Sequence, residues 1–394
     1  MKTIVYHKPT GKILALLPYL SIHHRATLLE YVEGYPLSDL AYFYEQNPIN
    51  VSMLKDHIER ISHNNPPMVV TSSGRSKSFL WFINNRRNAV QNSESVLCHF
   101  EGGMGDQLLQ AAAALQFYEI YPTKKITLSV NPRFHAVIAH VPGLREAYPR
   151  DALPKHLHAD TVLDMHTQYI SDPRGGLFGK ASLYGASIGL KKVIKQASLL
   201  FTPAQLARSI LPISPLFLDS SRLKIGIHIR SSSGHAKSWH HEAAEALALK
   251  FIHQHKAAVA LIGHAGDFNL DNPAAVHITD RYTWHQTATV IAALNLLVCI
   301  DSGPMHIAHS LGVLTLILWG GTTFRDILGR TEQLNDLRKN LPCMDQICYS
   351  CPRGDNACMT TISPEEVYDR AQQILFPPPA PATDSHRPDK RTLA

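Results

Sequence analysis

From Val96 onward the chain alternates short apolar runs with longer amphipathic stretches. VLCHF is followed by the turn EGGMGDQ and then by LLQAAAALQFYEIYP; KKITLSV and DTVLDM supply two further apolar runs. After LPISPLFLDSS, which reads as a hinge, a second series begins. LKIGIHI, AVALIG, HIT, LLVCI and TLILW are its strands, and HHEAAEALALKFIHQH, WHQTATVIAALN and PMHIAHSL its helices. Continuous apolar strands that alternate with helices belong to parallel sheets covered on both faces. Two such series predict an α/β protein with two Rossmann-like domains facing a cleft, over residues 93–218 and 219–375.

Residues 1–92 follow another pattern. LSDLAYFYEQNPINVSMLKDHIERISHN predicts two short amphipathic helices broken at Asn47-Pro48. Leu40, Tyr42 and Phe43 form one apolar face, and Val51, Leu54, Ile58 and Ile61 the next. This predicts an additional N-terminal module, mainly helical or winged-helix-like, suited to packing, oligomer formation or protein docking. Nucleic acid is the weaker reading, because basic residues do not line one helix. SGRSKSFLWFINNRRNAVQNSES reads as a linker or domain edge. At the other end, SPEE places Ser363 as an N-cap, Pro364 at the first helical position and Glu366 in a capping box. FPPPAPATDSHRPDKRTLA, residues 376–394, has the composition of a disordered tail.

Composition refines this picture. The 394 residues carry a net charge of +6 with no lysine or arginine block. That balance suits an anionic small substrate or peripheral contact with an acidic membrane face, and it offers no dedicated nucleic-acid surface. No apolar run reaches the roughly 18 residues of a membrane span. MKTIVYHKPTGKILALLPYL lacks the features of a cleaved signal, so a cytoplasmic location is expected.

Four segments can carry chemistry. In CIDSGPMHIAHSLG a strand runs to the carboxyl edge of the sheet, and a helix begins at once. Its first-turn N–H groups, around Ser302, Gly303, Pro304 and Met305, form an anion site. Asp301 could orient the loop or accept from a hydroxyl, and His306 could donate; a capped junction with a core histidine is the alternative. In HFEGGMGDQ, Gly102, Gly103 and Gly105 permit a tight turn and close approach. Asp106 is then either a general base at the cleft edge or a helix cap. In GIHIRSSSGHAKSWH, Arg230, the hydroxyls of Ser231, Ser232 and Ser233, and Lys237 could hold a diphosphate, or form a solvated loop. Cys343, Cys348, Cys351 and Cys358 offer four thiols within a short span. They read as reduced structural thiols or as ligands of structural zinc or iron.

In this order, GGMGDQLL, WHQTATVIAALNLLVCIDSGPMHIAHSLGVLTLILWGGT and the cysteine run ending in CMTTISPEEV resemble the heptosyltransferase-like glycosyltransferases of family 9, over roughly residues 96–375. The resemblance implies a GT-B fold and inverting transfer from a nucleotide-diphosphate sugar, ADP-heptose first among them, with no metal required for catalysis. It implies Asp106 as general base. Lys237 with Ser231–Ser233 would bind the donor phosphates, and Asp301, Ser302, Gly303 and His306 the sugar diphosphate. The acceptor would be a glycan, a lipid-linked sugar or a protein. Asp267, in GHAGDFNLD, stands where the family often carries an acid for the ribose. Two rivals remain: a fucosyltransferase using a guanosine-diphosphate sugar, suggested by GGMGDQLLQ and HIR, and a non-catalytic nucleotide-binding scaffold.

Overall fold

In the computed structural model, the structure describes residues 2–7, 12–18, 40–45, 68–70, 76–165, 175–190, 192–231, 235–322, 335–341, 351 and 353–377. The chain opens with β1 (Lys2–His7), β2 (Lys12–Pro18) and β3 (Leu40–Glu45), an antiparallel sheet in the order β2-β1-β3. A short hairpin, β4 (Met68–Val70) with β5 (Ser76–Ser78), follows. Every described residue before Phe79 is in a strand, so the helical reading is corrected for these residues. LAYFYE, expected to be helical, pairs along its whole length with β1, from Leu40 opposite His7 to Glu45 opposite Lys2. Its aromatic residues favour a pleated surface once a partner strand is available. The remainder of the two-helix expectation lies outside the described residues.

The expected linker contains a helix instead, α1 (Phe79–Gln91). Ile83 and Val90, two turns apart on one face, are fully buried. The Arg87 guanidinium donates to the Gly189 carbonyl at 3.3 Å, tying α1 to the domain that follows.

That domain is a four-stranded parallel sheet of β6 (Ser95–His99), β7 (Lys125–Val130), β8 (Ala147–Pro149) and β9 (Thr161–Asp164), in the order β8-β7-β6-β9. Its helices are α2 (Met104–Ile120), α3 (Pro132–Ile138) and α4 (Gly175–Ser187). The buried run Ala111–Ala114 lets α2 lie close to its neighbours. Next comes α5 (Pro203–Ile210), capped by Thr202.

The second sheet is six-stranded and parallel. It contains β10 (Lys224–His228), β11 (Ala258–Ile262), β12 (Ala275–Ile278), β13 (Leu296–Ile300), β14 (Thr315–Trp319) and β15 (Asp336–Arg338). Its order, β12-β11-β10-β13-β14-β15, is that of a doubly wound dinucleotide-type fold. All residues of β10, β11 and β13 are buried, as the unbroken apolar sequences of β11 and β13 require; in β10 the burial extends to Lys224 and His228. Around it lie α6 (His241–His255), α7 (Trp284–Ala292), α8 (Gly303–Leu311), α9 (Ala357–Thr360) and α10 (Pro364–Leu375). The capping box expected at Ser363 is formed: Ser363 Oγ accepts the Glu366 N–H, and Glu366 Oε2 accepts the Ser363 N–H.

Each sheet has one place where the strand order reverses: between β6 and β9 in the first, and between β10 and β13 in the second. Loops diverge there, leaving a crevice at the carboxyl ends of the strands. The domains meet at these crevices. α2 packs on α8, α3 on α7 and α5 on α7. The link runs between them, with Leu199 N–H donating to Ser310 O at 2.7 Å and Leu200 N–H to His140 O at 3.1 Å.

Gly189, at φ +83°, closes α4 against α1, and a Cβ there would stand 2.9 Å from the Arg87 backbone nitrogen. Gly189→Ala is expected to cost about 2 kcal/mol from the left-handed backbone alone, and more from the clash. Thermal melting should show a drop of several degrees. An unchanged melting temperature would mean that α1 does not pack as described.

Candidate active site

The first half of the site is built by the turn after β6. Gly102 takes φ +79°, and a Cβ there would lie 2.5 Å from Asp106 Oδ2, so the position requires glycine. Gly103 is the N-cap of α2, and its N–H donates to Asp106 Oδ2 at 2.9 Å. The helix-cap reading of Asp106 is thus realised, but on one oxygen only. At the other, Tyr184 Oη donates to Oδ1 at 2.6 Å and Lys180 Nζ stands 3.7 Å away. The Asp106 side chain keeps 24% of its surface open. Tyr184 and Lys180 belong to α4, one turn apart and on the same face. Sequence reasoning missed both. The available signal was topological, since α4 follows β9, the strand on the far side of the first crevice.

The second half comes from β10 and β13, the strands flanking the other crevice. Asp301 follows β13 and is buried together with Lys237, whose Nζ donates to Asp301 Oδ2 at 2.7 Å. Thr322, buried in the loop after β14, donates its hydroxyl to the same oxygen at 2.8 Å; it too was missed. Burial alone would raise the Asp301 carboxyl, but the charges of Lys237, His306 and Lys180 hold it below the usual range. Ser302 is the N-cap of α8, with extended backbone, and its hydroxyl donates to Ile300 O at 3.1 Å. Pro304 occupies the first turn, so the amides of Gly303 and Met305 lack helical acceptors.

Arg230 donates to Asp267 Oδ1 at 2.8 Å, while the His264 N–H donates to Asp267 Oδ2 at 2.8 Å. The Asp267 side chain is 1% exposed, so both of its oxygens serve the loop from within. Ser231 lies beside Arg230; Ser232 and Ser233 lie outside the described residues.

The halves touch at Gly105 and His306. A Cβ on Gly105 would stand 2.3 Å from His306 Cδ2, so only glycine admits the imidazole. Gly303 is held similarly, since a Cβ there would lie 3.2 Å from Met104 Cβ and 3.0 Å from Trp284 Cη2. The His306 ring is buried, and burial pushes its pKa down to about 4 against the opposing pull of Asp301 and Asp106. The imidazole is neutral at pH 7. The Lys180 charge lowers the pKa of both Asp301 and His306.

Of the cysteine run, Cys343 and Cys348 lie outside the described residues. Cys351 Sγ accepts the Asn356 N–H at 3.3 Å and lies 3.9 Å from Asp355 Oδ1, and Cys358 is buried. Among the described residues no group of three or more His, Cys, Asp or Glu is placed to hold a metal.

The lowered histidine pKa values make stability depend on pH. Unfolded His306 titrates near 6.5 and folded His306 at about 4, so the unfolded chain binds the extra proton in this window. The contribution is complete above pH 6.5 and is lost as pH falls towards 4. Burial shifts His99, His228 and His285 in the same direction. Thermal stability should fall between pH 6.5 and 4, and His306→Gln should flatten part of that slope. An identical slope in the variant would contradict the buried neutral imidazole.

Residues 182–355 match the family model described as Glycosyltransferase family 9 (heptosyltransferase). The chain is 26% identical over 172 residues to lipooligosaccharide heptosyltransferase 2 of Campylobacter jejuni serotype O:2, covering 41% of this chain and 54% of that protein. It therefore spans about half the length of the curated relatives it matches. Among solved structures, the E. coli ADP-heptose LPS heptosyltransferase II superposes with a TM-score of 0.58 at 17% identity, covering 71% of this chain and 98% of that one. The iron-containing dodecameric glycosyltransferase TibC of enterotoxigenic E. coli superposes with a TM-score of 0.56 at 11% identity, covering 95% and 92%. That larger coverage takes in residues of the N-terminal region as well. Two parallel-sheet domains in this arrangement are the GT-B fold, and the segment 182–355 is similar to the heptosyltransferases of glycosyltransferase family 9.

Proposed function

We propose that the chain is an inverting glycosyltransferase that moves heptose from ADP-heptose to a hydroxyl of a glycan, lipid-linked sugar or protein. The observation that carries this reading is the meeting of two helix N-termini across the cleft, with the Asp106 carboxylate on one side and the Asp301–His306 turn on the other. The E. coli heptosyltransferase II and the TibC complex with ADP-D-β-D-heptose, both similar in fold, support the choice of donor.

The acceptor oxygen attacks the anomeric carbon from the Asp106 side, and its proton passes to Asp106. The new glycosidic bond forms as the bond from that carbon to the diphosphate oxygen breaks. The electron pair leaves on ADP, where the Gly303 and Met305 amides, the dipole of α8 and the Lys237 charge stabilise it. Asp301 and Thr322 hold Lys237 in place from below. Arg230, Ser231, Ser232 and Ser233 complete the diphosphate side. Neutral His306 packs between donor and base, offering a hydrogen bond without adding charge. The N-terminal sheet is assigned to docking, of a protein acceptor or of a second copy of the chain. No described helix is long and apolar enough to cross a membrane, and the diffuse basic excess suits peripheral contact with an acidic bilayer.

Incubation with a panel of nucleotide sugars tests the reading. ADP-heptose should raise the melting temperature and support transfer. Asp106→Asn should keep the thermal shift while losing about 10²- to 10⁴-fold in turnover. Absence of stabilisation by every nucleotide sugar would remove the donor, and full turnover in Asp106→Asn would remove the base.

Cys343, Cys348, Cys351 and Cys358 are either reduced structural thiols or ligands of a structural zinc or iron ion, and metal content decides between the two. Elemental analysis of the purified chain tests this: about one ion per chain, lost in Cys351→Ser, is the outcome for a metal site. A metal-free wild-type protein would leave them as reduced structural thiols.

A further inference from the structure

We infer that Tyr184 is a positioning residue for the base: its phenol fixes the carboxylate of Asp106 in the orientation that receives the acceptor's proton. This rests on the glycosyl-transfer reading above, and deepens it.

Tyr184 is wholly buried, and a buried phenol needs a hydrogen-bond partner. The hydroxyl donates to Asp106 Oδ1 at 2.6 Å, a length typical of O–H groups bonded to carboxylate. Three contacts divide the work of holding this acid. The Gly103 N–H fixes Oδ2 from the acid's own helix end. Lys180, at 3.7 Å from Oδ1, contributes charge with little direction. Tyr184 alone, among the described side chains on Asp106, supplies a short directional bond to Oδ1.

Two points of attachment on different elements fix the carboxylate plane, whereas the cap alone would leave it free to swing about Oδ2. The open quarter of the side chain then faces outward, and Oδ1 keeps a second lone pair for the incoming proton. The phenol also suits both ends of the reaction. It donates to the ionised carboxylate, and its hydroxyl can turn to accept once Asp106 carries the acceptor's proton. In that step the acceptor O–H bond breaks, the oxygen–anomeric carbon bond forms, and ADP departs with the electron pair of the cleaved bond. Tyr184 itself gains and loses nothing.

The test is Tyr184→Phe, which keeps the buried ring and removes only the hydroxyl. Turnover should fall about tenfold to a hundredfold, because a small misalignment of a reacting group costs that much. KM for donor and acceptor should stay within about twofold, and the ADP-heptose thermal shift should persist. In an Asp106→Asn background the same change should cost nothing more, since Tyr184 acts only through Asp106. 3-Fluorotyrosine at position 184 retains the donor and should restore most of the rate, which separates lost chemistry from lost folding. Unchanged turnover in Tyr184→Phe, an equal loss in the Asp106→Asn background, or a rise in KM at constant kcat would each overturn the inference. Failure of the wild type to transfer from any nucleotide sugar would instead sink the function reading on which it stands.

Discussion

The contact between Gly105 and His306 sets how closely the two domains approach. It places the imidazole of one against the bare backbone of the other, with no space for a single methyl group. Everything else in the cleft is arranged around that separation. It brings the start of α2 and the start of α8 together, so that two positive helix ends point into a common space. An anion lying there meets both ends, and a carboxylate at one end faces whatever the other end holds. The closeness also requires His306 to be neutral, because an imidazolium packed at this depth between two helix N-termini would carry charge with little solvent.

The second constraint is the buried pair Lys237–Asp301. Its two members come from the loops after β10 and β13, which leave the sheet in opposite directions at the crevice. Such a pair is a weak source of net stability, since desolvation of both ions offsets most of their attraction. Its value is geometric: it ties two diverging loops to one oxygen, and Thr322 brings in a third from β14. Removing either ion would leave the other buried and uncompensated, which costs far more than the pair contributes. Arg230 and Asp267 repeat the device one strand further along, with the Arg230 side chain half exposed and Asp267 buried.

Much of this was legible in the sequence. The central strands β11 and β13 are unbroken apolar runs, and the helix start at Ser363 follows from its capping box. The turns carrying Asp106 and Asp301 could be read because glycine and proline mark them locally. Other features depend on partners far along the chain. LAYFYE is apolar enough for a helix or a strand, and its pairing with β1, more than thirty residues away, decides it. α1 shows only Ile83 and Val90 among many polar residues, and its burial against Gly189 is a tertiary fact. Tyr184, Lys180 and Thr322 belong to no local motif. They join the site only because β9 and β14 are neighbours of β6 and β13, an adjacency that sequence spacing does not contain.

The two carboxylates of the cleft show how one side chain serves different ends. Both follow a parallel strand, and both meet a lysine and a hydroxyl. Around Asp301 these partners converge on a single oxygen in a fully buried site, with the ammonium in direct contact. The acid is committed to its cation, and its proton affinity is spent on that bond. Around Asp106 the hydroxyl and the ammonium both face Oδ1 while a backbone N–H holds Oδ2, the ammonium stands off beyond hydrogen-bonding distance, and part of the carboxylate stays open. A carboxylate that must take up and release a proton needs that looser environment, while one that must hold a loop needs the tight one. The difference arises from position: Asp301 directly follows its strand and is covered by the loop of β14, whereas Asp106 lies in the first turn of its helix and keeps 24% of its side chain exposed.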